Sequence, residues 1–428
     1  MTGRSDGSAV SRRDFMRTSA SAAASVSVLG SLGQGVHAAG SDTVRIGLIG
    51  CGGQGTRDMV SCLQGVPGVE LVAMGDMFAD RIQQSLEVLK KEAPAGGVKV
   101  KPEMCFTGFD AYQKVLQTDV HGVLVVTPPH FRPVHFRAAV EAGKHIFMEK
   151  PAGVDPAGIR AMLEISDLAE QKKLSVVCGT QRRHTPAYQE TIQRIHDGAI
   201  GRIVAAEAYW MGGDMLGYWE WYERGQLSEI EWQCRNWPWY TWLSGDHIVE
   251  QHVHNLDVIN WALNANPEQC LGQGGRQVRN LGNIWDHFDV VFEYPNDVRV
   301  TSVCRQINGC TNRIAERVIG TKGVAEVDRW VIKGENAWEY KGPQVKPKVL
   351  DQQVFIKSIR EGKPASEAKA MALSTLMAIM GRMSAYSGRA LKWDWALKAS
   401  KLDMTPARYA PGDHPVDPVA MPGKTDLS

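Results

Sequence analysis

Lys150 sits in a run that packing alone does not explain. In His145-Ile146-Phe147-Met148-Glu149-Lys150-Pro151 an apolar, strand-like stretch stops at an acid, a base and a φ-locked proline. A lysine fixed at the end of a buried strand beside a carboxylate can hold or pass a proton. The same residues also fit a strand end whose amine points into water. A second reactive cluster is Gly245-Asp246-His247-Ile248-Val249-Glu250-Gln251-His252-Val253-His254-Asn255-Leu256-Asp257. If this stretch is helical, Glu250, His254 and Asp257 share a face; if it is extended, Glu250, His252 and His254 do, a set suited to a metal.

The elements that must position these groups lie upstream. Residues 43–49 are β-rich and feed into Gly50-Cys51-Gly52-Gly53-Gln54-Gly55 and then a helical pattern. That order lets the backbone approach a pyrophosphate at a helix N-terminus. The next strand, 70–75, ends at Asp76, where a carboxylate accepts from a ribose 2′-OH and repels a 2′-phosphate. NAD is therefore favoured over NADP, the competing reading of Asp76 being a helix N-cap. Residues 122–126 are uniformly apolar, as in a strand buried on both faces, and open into Thr127-Pro128-Pro129-His130. Helices over 133–142 and 155–172 and a strand over 174–178 continue the alternation, which predicts a doubly wound parallel sheet.

Taken together, Gly50-x-Gly52-x-x-Gly55, Thr127-Pro128 with His135 downstream, Gly143-Lys144-His145 and Glu149-Lys150-Pro151 resemble the Gfo/Idh/MocA family (glucose-fructose oxidoreductase, inositol dehydrogenase and rhizopine catabolism). The resemblance covers essentially the whole chain after the N-terminal segment. It implies an α/β protein: an N-terminal Rossmann domain (43–178), then an α+β domain with an open, mainly antiparallel sheet (179–400), and a tail (401–428). It also implies that Lys150 lies beside the nicotinamide and the substrate hydroxyl. The family's acid, His and Asp pattern matches Glu250, His254 and Asp257, with two departures: Glu250 stands where Asp is usual, and His252 where the residue is small. Implied catalytic residues are Lys150, His254 and Glu250. The dinucleotide side takes Gly50, Gly52, Gly53, Gln54, Gly55, Asp76, Thr127, Pro128, His130, His135, Glu149 and Lys150. The substrate side takes Arg182, Tyr209, Trp210, His252 and Asp257, with no metal assigned. The open sheet implies a homodimer or homotetramer.

The second half adds strand patterns at 204–209, 288–294 and 298–304, the last two joined as a hairpin through Pro295-Asn296-Asp297. Residues 209–242 hold eleven of the 13 Trp and 10 Tyr, a density that fits either a platform for sugar C–H faces or the anchor of a long insertion or subunit interface. Helices are expected over 353–359 and 367–384.

A length of 428 residues fits two domains, and a net charge of +1 supplies no argument for nucleic acid or an anionic membrane. Ser11-Arg12-Arg13-Asp14-Phe15-Met16, a mildly apolar run and Val36-His37-Ala38 read as a twin-arginine export signal over residues 1–38. The run is too weakly apolar for a retained membrane span. The expected location is periplasmic or otherwise extracytoplasmic, with the eight cysteines mostly free and buried. The implied activity is transfer of a hydride between a secondary hydroxyl of a sugar, polyol or glycoside and a tightly bound NAD. Because free NAD is not recycled outside the cytoplasm, a redox-neutral glycosidase or lyase cycle is the main alternative: oxidation at C3, elimination, water addition and re-reduction. A non-catalytic sugar or dinucleotide sensor is the third, against which the intact Lys150 and His254 weigh.

Overall fold

The computed structural model describes residues 43–427; the export segment expected over residues 1–38 lies outside them. Six parallel strands, β1 Val44–Ile49, β2 Val69–Asp76, β3 Cys105–Thr107, β4 Gly122–Val125, β5 His145–Met148 and β6 Val176–Cys178, run in the order β3-β2-β1-β4-β5-β6. The order reverses between β1 and β4, which opens a crevice at the carboxyl ends of those two strands. Their apolar sequences fit this placement, β4 being buried at every residue. Asp155 ends the loop after β5 and starts the helix Pro156–Gln171 by accepting from Gly158 N–H at 2.6 Å. The short β3 and the helix Ala111–Leu116 carry too few apolar residues to have been legible.

The second sheet has nine strands: β7 Ile203–Gly212, β8 Gln269–Gly275, β9 His287–Tyr294, β10 Val298–Gln306, β11 Arg313–Gly320, β12 Gly323–Glu326, β13 Val331–Gly334, β14 Trp338–Glu339 and β15 Leu391–Lys392. They lie in the order β14-β13-β12-β11-β7-β10-β9-β8-β15. Only the β7–β10 pairing is parallel, so the sheet is mixed and mostly antiparallel. The β9–β10 hairpin pairs Tyr294 with Val298, and its turn puts Asn296 and Asp297 at φ 63° and 58°, a conformation short polar side chains tolerate. Strand β9 alternates strictly between buried and half-buried residues, as expected with helices Val253–Leu263 and Ala368–Ser387 packed on one face of the sheet.

Two features cut across the sequence-based domain division. The helix Pro347–Arg360 falls inside the expected second domain, yet it packs on the helix Gly53–Gly65 of the first. Phe355 and Ile356 join the β1–β2 core, and Phe355 meets Phe147 with ring centroids 6.2 Å apart. The helix thus covers the face of β5 and β6 that would otherwise meet water. Residues 401–427 form no regular element but are ordered by contact: Met404 N–H donates to Asp155 at 2.8 Å, Asn283 donates to the Asp417 carbonyl at 3.1 Å, and Trp285 donates to the Ala420 carbonyl at 3.2 Å.

Candidate active site

A cavity of about 850 Å³ runs from the crevice of the parallel sheet to the face of the second unit. Its floor is the turn after β1. Gly50 has φ +96°, and a Cβ there would come 2.6 Å from the Val126 carbonyl carbon; a Cβ on Gly55 would come 2.0 Å from Gly50 O. Gly52 faces open space. Close backbone packing beneath and free room above the start of a helix are what a pyrophosphate requires, so the residues present fit a dinucleotide. Asp76 accepts from Cys51 N–H at 2.7 Å and Phe78 N–H at 2.9 Å, bonds that hold its carboxylate at the cavity wall. Burial raises its pKa more than those two N–H groups lower it.

Strand β5 delivers Glu149 and Lys150 to the cavity. Glu149 is buried beneath Lys150: it accepts from the Lys150 N–H at 3.0 Å and pairs closely with the Lys348 amine. Burial pushes its carboxyl up, but Lys348, Lys150 and Arg132 outweigh that and leave it below the usual value. Asp58, fully buried on the helix Gly53–Gly65, lies 3.7 Å from the same Lys348 amine, and burial raises its pKa. Arg132 donates to the Pro151 carbonyl at 2.6 Å and so anchors the turn that follows Lys150.

The Lys150 amine crosses to the second unit, where it donates to Glu250 Oε1 at 2.8 Å and to the Glu250 main-chain carbonyl. The segment carrying Glu250 is neither one helix nor extended. A single turn, His247–Glu250, breaks at Gln251 and His252 before the helix Val253–Leu263 starts. Glu250, Gln251 and His254 therefore face the cavity. His254 stacks on Trp210, ring centroids 5.9 Å apart and planes 19° apart. Burial first, then the charges of Lys150, Arg182 and Lys348, hold its imidazole well below the ordinary pKa, so it is neutral near pH 7.

The remaining expected site residues divide. Thr127, Pro128 and His135 line the cavity, with His135 Nδ1 bonded to Thr127 Oγ1 at 3.1 Å. Burial, with help from His130 and Arg132, lowers the His135 pKa to about 3. His130 turns away to the Tyr409 hydroxyl at 2.9 Å, because the tail packs behind it. On the substrate side, Trp210 lines the cavity; Arg182, Tyr209, His252 and Asp257 do not. Arg182 pairs with buried Glu316, and Arg313 lies 3.8 Å over the Tyr209 ring. His252 reaches back to Ser302 at 2.9 Å, so it does not share a face with Glu250 and His254. Asp257 takes a two-pronged bond from Arg183, 2.8 Å in each arm, and a third from Ser374. Lys348, Arg132, Arg81 and Arg235 line the cavity without having been singled out. No local motif marks them, since each acts through partners distant in sequence.

Comparisons with known proteins agree with the fold, a parallel dinucleotide-binding sheet followed by a mostly antiparallel one. A model described as oxidoreductase family, NAD-binding Rossmann fold matches residues 44–180, and one described as GFO/IDH/MocA C-terminal domain matches residues 188–326. A glycosyl hydrolase family 109 protein of Saccharopolyspora erythraea is 28% identical over 254 residues, 55% of this chain and 52% of that one. The scyllo-inositol 2-dehydrogenase (NAD(+)) of Bacillus subtilis is 26% identical over 54% of this chain and 57% of its own. The chain thus spans about half the length of these two relatives. In fold it is similar to the scyllo-inositol dehydrogenase of Lactobacillus casei solved with NAD(H) and scyllo-inositol, at TM-score 0.62 and 18% identity over 82% of this chain and 99% of that one. With the two matched stretches together spanning more than half of its length, the chain belongs to the Gfo/Idh/MocA family of NAD-binding oxidoreductases.

Proposed function

We propose that the protein oxidises or reduces a secondary hydroxyl of a polyol, sugar or glycoside, using a tightly held NAD and working outside the cytoplasm after twin-arginine export. The observation that carries this reading is the single cavity that joins the glycine turn and Asp76 to Lys150, Glu250 and His254. Relatives named inositol dehydrogenases support the substrate class. Asp76 at the cavity wall supports NAD over NADP. A homodimer or homotetramer built on the open sheet is part of the same reading.

When bound, the nicotinamide accepts or returns the hydride. The protein's own groups handle the proton and the charge. The Lys150 ammonium, held by Glu250, donates a hydrogen bond to the substrate oxygen and stabilises negative charge developing there. A ring nitrogen of neutral His254 takes the hydroxyl proton. Burial first, then the Lys150 charge, keeps His254 neutral and so able to accept that proton. Trp210, stacked on His254, presents an apolar face suited to sugar C–H groups.

A redox-neutral glycosidase cycle is the second reading, favoured by Glu250 as an additional carboxylate beside the proton-handling pair and by relatives named glycosyl hydrolase family 109 proteins. Incubation of purified protein with polyols and aryl glycosides separates the two. Reduced cofactor without released aglycone supports hydride transfer alone; released aglycone without net reduction supports the cycle. Bound dinucleotide with neither product across the panel leaves a sensor and overturns both.

A further inference from the structure

Ligands of a doubly wound sheet sit outside the carboxyl ends of the strands, in a crevice that is open on one side. Here that side is walled. Between β7 and the helix Val253–Leu263 the chain makes an excursion whose Trp219, Tyr222, Arg235 and Trp237 line the same cavity as the glycine turn. The excursion is fastened to the first unit at two places. Arg235, at the end of the helix Glu229–Arg235, forms a two-pronged ion pair with Asp80, in the first turn of the helix after Asp76. Its guanidinium also lies 4.6 Å from the Phe78 ring and 4.8 Å from the Tyr222 ring, and Arg81 donates to the Tyr222 hydroxyl at 3.1 Å. On the other side of the glycine turn, Trp242 packs edge-on against His130, ring centroids 5.0 Å apart, in the connection after β4.

A second layer lies outside the first. The tail bonds His130 through Tyr409, and its Gly412 and His414 carbonyls accept from Ile230 N–H at 3.2 Å and from the Gln233 amide at 2.6 Å. An excursion needed only for packing would be satisfied by its fully buried members, such as Trp239 and Tyr240. The charged and cation–π contacts instead gather around Phe78 and Arg81, where the strand carrying Asp76 ends.

We infer that residues 214–239 form the second wall of the dinucleotide site, a roof pinned by Arg235–Asp80 that retains the nucleotide as a prosthetic group. This rests on the NAD reading of the cavity and adds to it a physical reason for retention. Departure of the adenosine end requires the roof to part from Asp80, Phe78 and Arg81.

The test uses the full-length protein and its exchange of bound nucleotide, not turnover. Protein is desalted, nucleotide released by denaturation is quantified by chromatography, and exchange against excess isotopically labelled NAD is followed by mass spectrometry. The wild type is expected to carry nucleotide through desalting and to exchange slowly. Asp80→Asn and Arg235→Gln are expected to exchange at least about tenfold faster, since loss of a contact that holds the roof closed over bound nucleotide acts mainly on the off-rate. Asp80 is 44% exposed, so its substitution spares the fold if Arg235→Gln does not. Arg299→Gln, on strand β10, is the control. A wild type that binds added NAD or NADP but loses it on desalting, or variants exchanging at the wild-type rate, would overturn the roof and leave the dinucleotide reading standing. A wild type that binds neither nucleotide overturns both.

Discussion

The Lys150 amine is held by Glu250 twice, through the carboxylate at 2.8 Å and through the main-chain carbonyl of the same residue. The contact joins the end of β5 to the broken helix over the second sheet. It is a direct bridge, inside the cavity, between the half that carries the glycine turn and the half that carries His254 and Trp210. Both side chains are 13% exposed, so the pair is shielded without being cut off from the cavity.

Shortening the acid tests how closely that bridge sets the amine. Glu250→Asp withdraws the carboxylate by one methylene while the carbonyl contact remains. A misplacement near 1 Å costs about a hundredfold in rate, so kcat is expected to fall by about that factor with little change in KM. Steady-state kinetics on the preferred substrate check this; an unchanged kcat would place Glu250 outside the positioning of Lys150.

Lys348 supports the site from below, its amine shared between Glu149 and Asp58. Lys348→Met leaves two buried carboxyl groups facing each other without their cation. Breaking a buried pair by removing one partner costs about 3–5 kcal/mol. The urea midpoint should fall accordingly, and adding Glu149→Gln should restore part of the loss. Equal stability of wild type and Lys348→Met would contradict the arrangement.

What could be read in the sequence follows the range of the interactions involved. The glycine turn and Asp76 are legible because backbone geometry within one βαβ unit fixes their spacing, and Glu149-Lys150-Pro151 because it is a run of consecutive residues closing one strand. The Glu250 segment is legible by half. Helical spacing relates Glu250 to His254, but the break at Gln251 and His252 sends His252 to Ser302, and Asp257 goes to Arg183. Lys348 and Arg235 are not legible, because their partners lie on elements brought together only by the tertiary fold, and Arg132 is not, because its partner is a main-chain carbonyl that no side-chain motif marks. The helix Pro347–Arg360 shows the same limit: its part over 353–359 is readable as a helix, but not which sheet it will cover.

His252 makes a stability prediction with a definite sign. Burial first, then Arg182, lowers its imidazole to about 3 in the folded chain, against roughly 6.5 when unfolded. Between these values the unfolded state binds a proton that the folded state does not. This contribution is fully present above pH 6.5 and is lost as pH falls toward 3, at up to about 1.4 kcal/mol per pH unit. His252→Gln should therefore show a shallower loss of stability than wild type between about pH 6.5 and 4.5 in urea titrations. Glu316, raised by burial to about 7, acts in the opposite sense in both proteins and cancels in the comparison.

If Lys150 handles charge on the reacting oxygen, Lys150→Met should disable hydride transfer without releasing the nucleotide. The amine is removed and most of the apolar stem kept, while the glycine turn and Asp76 are untouched. Single-turnover reduction of bound cofactor by the substrate is the measurement. The rate is expected to fall about a hundred- to ten-thousandfold, with nucleotide still bound. Reduction at the wild-type rate in Lys150→Met would contradict it.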